Sequence, residues 1–116
     1  FGSRNLINSK VTYKIHRKLI GFFFNLIARF LLGINLKDTQ CGFKLYPKKI
    51  AKRIFQVLKV KGFAHDIEIV LLAKKFRFKI QELPVKWEHK DKGKINLVKD
   101  SVKMFLSMLK LRKEFN

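Results

Sequence analysis

Basic side chains dominate the residues of this sequence that could do chemistry. The 116 residues include 27 Lys and Arg against 8 Asp and Glu, which gives a formal net charge of +19. An excess of this size favours an anionic partner, which could be a nucleic acid, an anionic lipid or a phosphorylated ligand. A general bias toward Lys, Ile, Phe and Asn would explain much of the same excess, so charge alone does not choose among these partners.

Two of the few acidic residues lie where predicted loops and helices meet. Asp38 lies in a polar loop, where an aspartate readily bonds nearby backbone groups. Asp66 lies at the start of a predicted helix, where it could serve as the N-cap, and Glu68 follows on the same helix. Both aspartates therefore have a structural interpretation beside any catalytic one.

The sequence gives no indication of disulfide or zinc chemistry. Cys41 is the single cysteine, so an internal disulfide cannot form. His16, His65 and His89 are far apart and lack the spacing of zinc ligands.

The longest helical pattern runs from about residue 13 to residue 33, and Gly33 is expected to end it. Its apolar face is wider than an ordinary surface helix needs, although the apolar stretch is too short for a comfortable membrane span. A polar or small stripe recurs at steps of three and four: Lys14, Lys18, Gly21, Asn25 and Arg29. Two interpretations stay open: a helix that lies in the lipid headgroup region, or a helix covered by a missing partner domain.

Shorter elements follow this helix. Pro47 is expected to begin a second helix, and a third is predicted over residues 66–75. Residues 76–80 alternate like a strand, and residues 83–87 resemble an edge strand that tolerates a proline. An amphipathic helix over about residues 97–111 ends in a basic cluster that suits a membrane surface. The predicted fold class is α/β, mostly helical with two or three short strands, which would need pairing partners from sequence outside this chain.

Several segments in a fixed order carry a resemblance to a known family. They are residues 38–45 (DTQCGFKL), 62–69 (GFAHDIEI), 80–87 (IQELPVKW) and 92–95 (KGKI), preceded by residues 2–4 (GSR). Together they resemble the second half of the dolichyl-phosphate glucosyltransferases and their bacterial polyprenyl-phosphate relatives, which are family 2 glycosyltransferases. The resemblance spans nearly the whole chain.

The resemblance implies a fold, a cofactor and a location. Residues 1–116 would be the C-terminal half of a Rossmann-like glycosyltransferase A domain, whose other half binds the nucleotide sugar and, through an Asp-x-Asp motif, Mg²⁺ or Mn²⁺. This sequence has no Asp-x-Asp motif, so the chain alone is expected to bind no metal and to be inactive. A start at Phe1 instead of Met also suggests a fragment. The full-length enzyme would be associated with the cytoplasmic face of a membrane.

The same resemblance implies roles for six residues. Asp38 corresponds to an acidic position near the acceptor and Asp66 to the acidic base position, so both are expected to be catalytic. The residues expected to bind the acceptor phosphate or the donor diphosphate are Arg4, Arg17, Lys44 and Lys94. A guanidinium fork suits a phosphate well, whereas the alternative for Arg4 and Arg17 is a solvated basic face.

The expected reaction of the full-length enzyme transfers glucose, or a similar hexose, from a nucleotide diphosphate sugar to a polyprenyl or dolichyl phosphate with inversion. Two other functions compete with this one. A non-catalytic remnant or subunit that binds a membrane surface would explain the missing Asp-x-Asp motif. A nucleic-acid binder would explain the charge, but the basic residues form no known nucleic-acid motif.

Overall fold

The computed structural model describes residues 1–12, 15–62, 64–88 and 97–116. Within these ranges the chain mixes helices and strands, as predicted. The elements, in chain order, are β1 (Gly2–Ser3), β2 (Lys10–Thr12), α1 (Ile15–Leu32), α2 (Lys48–Phe55), α3 (His65–Lys75), β3 (Leu83–Pro84), β4 (Lys86–Glu88) and α4 (Leu97–Phe115). The described part therefore has four strands, one more than the upper number predicted.

Helix α3 forms the centre of the fold. Every residue from Ile67 to Ala73 is buried, and a helix that is apolar on nearly all sides must be covered on all sides. One core cluster joins it to α1 and α4 through Ala28 and Leu32 on α1 and Met108 and Leu111 on α4. A second cluster joins it to α2 through Ile54.

The ends of the helices follow local sequence signals. Gly33 ends α1 with a φ of 61°, in the left-handed region that glycine adopts without steric cost, and its N–H donates to the carbonyl of Arg29 at 3.0 Å. Pro47 is the N-cap of α2, as its position predicted. Helix α4 continues to Phe115, four residues beyond the predicted end.

The strands form two parallel pairs within the chain. Strand β1 pairs with β3, with Gly2 opposite Leu83, and β2 pairs with β4, with Val11 opposite Trp87. The prediction that these strands need partners from outside the chain is therefore wrong. Both pairs join the N-terminal segment to residues 83–88, so these two segments are held together although they are far apart in the sequence.

The strand predicted over residues 76–80 is also wrong. Residue Arg77 has a φ of 58°, and the N–H of Phe78 donates to the carbonyl of Ala73 at 2.8 Å while the N–H of Arg77 donates to that of Lys74 at 3.0 Å. This pair of bonds is a Schellman motif that closes the C-terminus of α3. The alternating pattern thus belongs to a helix end and the loop after it.

Helices α1 and α4 pack against each other and leave a large apolar surface exposed. We call it the α1/α4 surface; its exposed side chains are Leu19, Phe22, Phe23, Leu26 and Phe30 on α1 and Val98, Val102, Phe105, Leu106 and Leu109 on α4. The two helices border one open apolar groove of about 450 Å³. Among the described residues, none of the helices is long and apolar enough to cross a membrane.

Candidate active site

Arg4 and Asp38 form an ion pair with two matched hydrogen bonds. Arg4 follows β1, and Asp38 lies in the loop between α1 and α2. The guanidinium Nε donates to Asp38 Oδ2 at 2.7 Å and Nη2 donates to Oδ1 at 3.0 Å, while the backbone N–H of Arg4 donates to Oδ2 at 3.0 Å. The side chains of Arg4 and Asp38 are 19% and 2% exposed. The fork geometry holds the guanidinium plane in one orientation.

Two opposing effects set the protonation state of Asp38. Burial acts to raise its pKa, but the hydrogen bond and charge of Arg4, with backbone hydrogen bonds from Arg4 and Gln40, outweigh burial and lower the pKa below its ordinary value of 3.8. Asp38 is therefore ionised at neutral pH and is a weak proton acceptor. Its bond from the Gln40 N–H, at 3.1 Å to Oδ1, also fulfils the turn-forming role considered from the sequence.

The loop that carries Asp38 is held by residues that the sequence analysis did not select. The carboxylate of Glu82 accepts hydrogen bonds from the backbone N–H groups of Lys37 and Asp38. The carbonyl of Lys37 accepts from the side-chain amides of Asn5 at 2.6 Å and Asn25 at 2.7 Å. Glu82 lies inside the third segment of the family resemblance, which was the one signal that could have identified it.

Asp66 belongs to a second cluster, in the first turn of α3. Lys44 Nζ lies 3.1 Å from Asp66 Oδ1, and His65 Nε2 lies 3.2 Å from the same oxygen. Lys44 also donates to the carbonyl of Cys41 at 2.5 Å. Burial, and then the negative charge of Asp66, raise the pKa of Tyr46 to about 12, so this phenol stays protonated. The N-cap of α3 is Ala64, so the interpretation of Asp66 as the cap is wrong.

The remaining candidates lie elsewhere. Arg17 lies in the first turn of α1 and is partly exposed, and Lys94 lies outside the described residues. The buried carboxylate of Glu68 accepts from the backbone N–H groups of Lys59 and Val60, which gives it a structural role in the loop before α3. The structure thus pairs Arg4 with Asp38 and Lys44 with Asp66, and one loop connects the two pairs.

Two buried polar atoms next to this site have no hydrogen-bond partner among the described residues. They are Ser3 Oγ and Gln40 Nε2, which flank Arg4 and Asp38 in the sequence. Buried polar atoms without a protein partner are rare, and a bound water or a ligand group can satisfy them. Among the described residues, no three His, Cys, Asp or Glu side chains are grouped to hold a metal ion.

In comparisons with known proteins, the chain is similar to several enzymes that share one name. It is 36% identical over 115 residues to dolichyl-phosphate β-glucosyltransferase of Saccharomyces cerevisiae, which covers 96% of this chain and 34% of that protein. It is 34% identical over 114 residues to the Dictyostelium discoideum enzyme, covering 96% of this chain and 35% of that enzyme. The human enzyme is 35% identical over 79 residues, or 68% of this chain and 24% of its own length.

No protein-family model matches the chain. No solved structure matches it either. The chain spans about one third of the length of the first two curated relatives. The resemblance predicted from the sequence is confirmed, and over nearly its whole length the chain is homologous to part of the dolichyl-phosphate β-glucosyltransferases.

Proposed function

We propose that the protein containing this chain transfers glucose from a nucleoside-diphosphate sugar to dolichyl phosphate, or a related polyprenyl phosphate, with inversion at the anomeric carbon. The observation that carries the proposal is the identity to enzymes of that name over 96% of the chain. The chain would supply the acceptor-binding, C-terminal part of a Rossmann-like glycosyltransferase A domain of family 2. The nucleotide sugar would be bound mainly by the rest of the protein.

The proposed reaction makes one bond and breaks one bond. A phosphate oxygen of the lipid attacks the anomeric carbon of glucose, and the bond from that carbon to the donor diphosphate breaks, so the diphosphate leaves with the electron pair. A lipid phosphate is already anionic at neutral pH, so the acceptor needs orientation and charge stabilisation more than it needs a strong base.

Arg4 is the proposed ligand of the acceptor phosphate. Its guanidinium is held in a fixed plane by Asp38, and its central carbon lies 5.4 Å from the centre of the Trp87 ring. A pre-oriented guanidinium loses little conformational freedom when it binds an anion. Because both oxygens of Asp38 are hydrogen-bonded and its pKa is lowered, we propose that Asp38 orients Arg4 and does not accept a proton. Ser3 and Gln40 would add hydrogen bonds to the same bound group.

We propose that Asp66 is the residue of this chain that comes nearest to the role of a general base. Lys44 holds the Asp66 carboxylate in place. Lys44 Nζ lies 3.1 Å from Asp66 Oδ1, and His65 contacts the same oxygen. Lys44 would then contribute to binding of the donor diphosphate or the acceptor phosphate partly by holding Asp66 in place. Arg17 and Lys94 remain proposed phosphate ligands on the family resemblance.

A divalent metal ion is proposed for the full-length enzyme but not for this part of it. The described residues hold no group of metal-ligating side chains, and the sequence has no Asp-x-Asp motif. The ligands would belong to the part of the protein that binds the nucleotide sugar.

The α1/α4 surface is proposed to rest on the cytoplasmic face of a membrane. It combines large exposed apolar side chains on two adjacent helices with basic residues near the end of α4, Lys110, Arg112 and Lys113. Apolar side chains can enter the acyl boundary while the cations stay near lipid phosphates. The lipid-linked acceptor would then reach the enzyme at the surface that contacts the membrane.

The experiment measures glucose transfer by the full-length protein from labelled nucleoside-diphosphate glucose into the lipid-extractable fraction. We expect Arg4→Ala to lower kcat/KM for the lipid phosphate by about 100-fold, as loss of a charge-stabilising donor does in other enzymes. Lys49→Ala removes an exposed cation from α2 and should leave transfer within about twofold. A wild-type protein that transfers no glucose to a lipid phosphate would show that the proposed function is wrong.

A further inference from the structure

Glu82 fixes two successive peptide groups of the loop that carries Asp38. Its Oε1 accepts from the backbone N–H of Lys37 at 2.9 Å and from that of Asp38 at 3.0 Å, and its Oε2 accepts from Lys37 at 3.1 Å. Hydrogen bonds to an ionised carboxylate are roughly twice as strong as neutral ones. Glu82 directly precedes β3, so its backbone is held by the pairing of β3 with β1.

The same stretch of loop is held from its other side. The carbonyl of Lys37, which forms the peptide group with the N–H of Asp38, accepts hydrogen bonds from Asn5 and Asn25. Asn5 follows Arg4 in the sequence, and Asn25 lies on α1. The peptide between Lys37 and Asp38 is therefore fixed by side chains from three separate segments, although the loop itself has no regular secondary structure.

This clamp determines where the Asp38 carboxylate lies, and Asp38 in turn orients Arg4. We propose that Glu82 is a positioning residue for binding of a lipid phosphate, acting through the Lys37–Asp38 peptide, the Asp38 carboxylate and the Arg4 guanidinium. The inference rests on the proposed function, because Arg4 is the ligand of the acceptor phosphate there. It adds a residue with no contact of its own to the acceptor.

The chain contains a matched control for this device. Glu68 uses its carboxylate in the same way, accepting from the N–H of Lys59 at 3.1 Å and from that of Val60 at 2.7 Å. Those two residues lie in the loop between α2 and α3, which contains none of the proposed phosphate ligands. Removing either carboxylate loosens a loop, but only removal of Glu82 loosens the loop that holds Arg4.

The experiment compares Glu82→Ala, Glu82→Gln and Glu68→Ala in the full-length protein. Equilibrium binding of farnesyl phosphate in detergent is measured together with the thermal unfolding midpoint. We expect Glu82→Ala to weaken binding of this probe by about tenfold, the effect of losing hydrogen bonds to a charged group. Glu82→Gln keeps one oxygen, which can accept both bonds made by Oε1, and should recover part of the affinity. Glu68→Ala should lower the midpoint yet leave binding within about twofold.

Three results would overturn the inference. The first is that Glu82→Ala binds farnesyl phosphate as tightly as the wild type. The second is that Glu68→Ala weakens binding as much as Glu82→Ala, which would reduce both effects to general loss of stability. The third is that the wild type does not bind farnesyl phosphate. Failure of the proposed function gives a separate result, namely tight probe binding that depends on Glu82 without any transfer of glucose.

Discussion

At the scale of single residues, the two candidate carboxylates differ in what surrounds them. Asp38 is almost completely buried and both of its oxygens are bonded, to Arg4 and to backbone N–H groups. Asp66 is more exposed, and its contacts with Lys44 and His65 both fall on one oxygen, Oδ1. The surroundings of Asp38 are suited to holding a cation in place. Asp66 lies beside Lys44 instead, and this pair can respond to a substrate.

Replacing Asp38 by Asn should therefore damage both the fold and transfer. The amide cannot offer two acceptor oxygens to the guanidinium, and Arg4 loses the negative charge of the Asp38 carboxylate. We expect the free energy of unfolding to fall by about 2–4 kcal/mol, as when one partner of a largely buried ion pair is removed. Transfer of glucose to a lipid phosphate should fall by about 100-fold at a temperature where the variant is folded.

The control for this prediction is Glu68→Gln, which changes another buried carboxylate that holds backbone N–H groups. We expect it to cost about 1–2 kcal/mol of unfolding free energy and little transfer activity. Urea unfolding and the transfer assay measure the two quantities separately. Wild-type transfer by Asp38→Asn would remove Asp38 and its hold on Arg4 from the proposed site.

The lowered pKa of Asp38 also makes stability depend on acid. The folded-state pKa lies below the ordinary value of 3.8, so the ionised form adds stability at every pH above that value. As the pH falls below 3.8 and passes through the lower folded-state pKa, the carboxylate is protonated and this stability is lost. Urea midpoints measured from neutral pH to about pH 2 should therefore fall more steeply for the wild type than for Asp38→Asn. Parallel curves for the two proteins would show that folding does not lower the pKa of Asp38.

At the scale of elements, the N-terminal segment reaches the site through a close approach of β1 to its neighbours. A Cβ placed on Gly2 would lie 2.8 Å from Val85 Cγ1 and 3.1 Å from both the Cβ and the carbonyl oxygen of Phe43. The N–H of Gly2 donates to that carbonyl at 2.7 Å, so the backbone cannot move away freely. Glycine is thus needed here for space, since its φ is not in the left-handed region.

Gly2→Ala should displace β1 and, with it, Arg4. We expect a loss of about 1–3 kcal/mol of unfolding free energy, the usual cost of forcing an extra methyl group into a packed site. Binding of a lipid phosphate should weaken as well, because Arg4 follows the displaced strand. Gly42→Ala is the matched control, since a Cβ there would meet no atom within 4 Å. Equal thermal midpoints for the two variants would show that β1 does not pack as closely as described.

The elements that could be predicted from the sequence are those that depend on local signals. The end of α1 at Gly33 and the start of α2 after Pro47 follow from the conformational preferences of single residues. The strand pairs could not be predicted, because strands of two or three residues carry no periodicity and their partners are far apart in sequence. Residues 76–80 misled because side-chain alternation does not reveal the left-handed backbone of Arg77.

The candidate site, like the fold, could be predicted only in part from the sequence. The family resemblance selected Arg4, Asp38 and Asp66 one at a time, but a single sequence contains no distances. It therefore gave no sign that Arg4 and Asp38 are bonded across 34 positions of sequence. Glu82 was missed for the same reason, since its role consists of bonds to backbone groups of a loop 45 positions away.

At the scale of the whole molecule, charge and apolar surface have to be considered together. A net charge of +19 would attract any polyanion, but the exposed apolar side chains of the α1/α4 surface are not suited to a nucleic acid. On α1, the polar stripe that includes Asn25 and Arg29 bonds to the loop around Lys37 and Asn35. Ala28 and Leu32 of the same helix are buried in the core, whereas the apolar side chains of α1 that belong to the α1/α4 surface remain exposed, where a lipid surface can accept them.

This argument predicts which positions enter the bilayer when the full-length protein is reconstituted in anionic vesicles. Phe30 is 89% exposed on the α1/α4 surface, and Leu45 is 84% exposed in the loop before α2. Each is replaced by Cys in turn and labelled with a small fluorophore; both changes remove one exposed apolar side chain and keep the charge. We expect brominated lipids to quench the label at position 30 strongly and the label at position 45 weakly, because only the former should lie at the depth of an interfacial helix. The same protein without an introduced cysteine gives the background, since Cys41 is buried. Equal quenching at the two positions would mean that the α1/α4 surface does not face the membrane and is covered instead by another part of the protein.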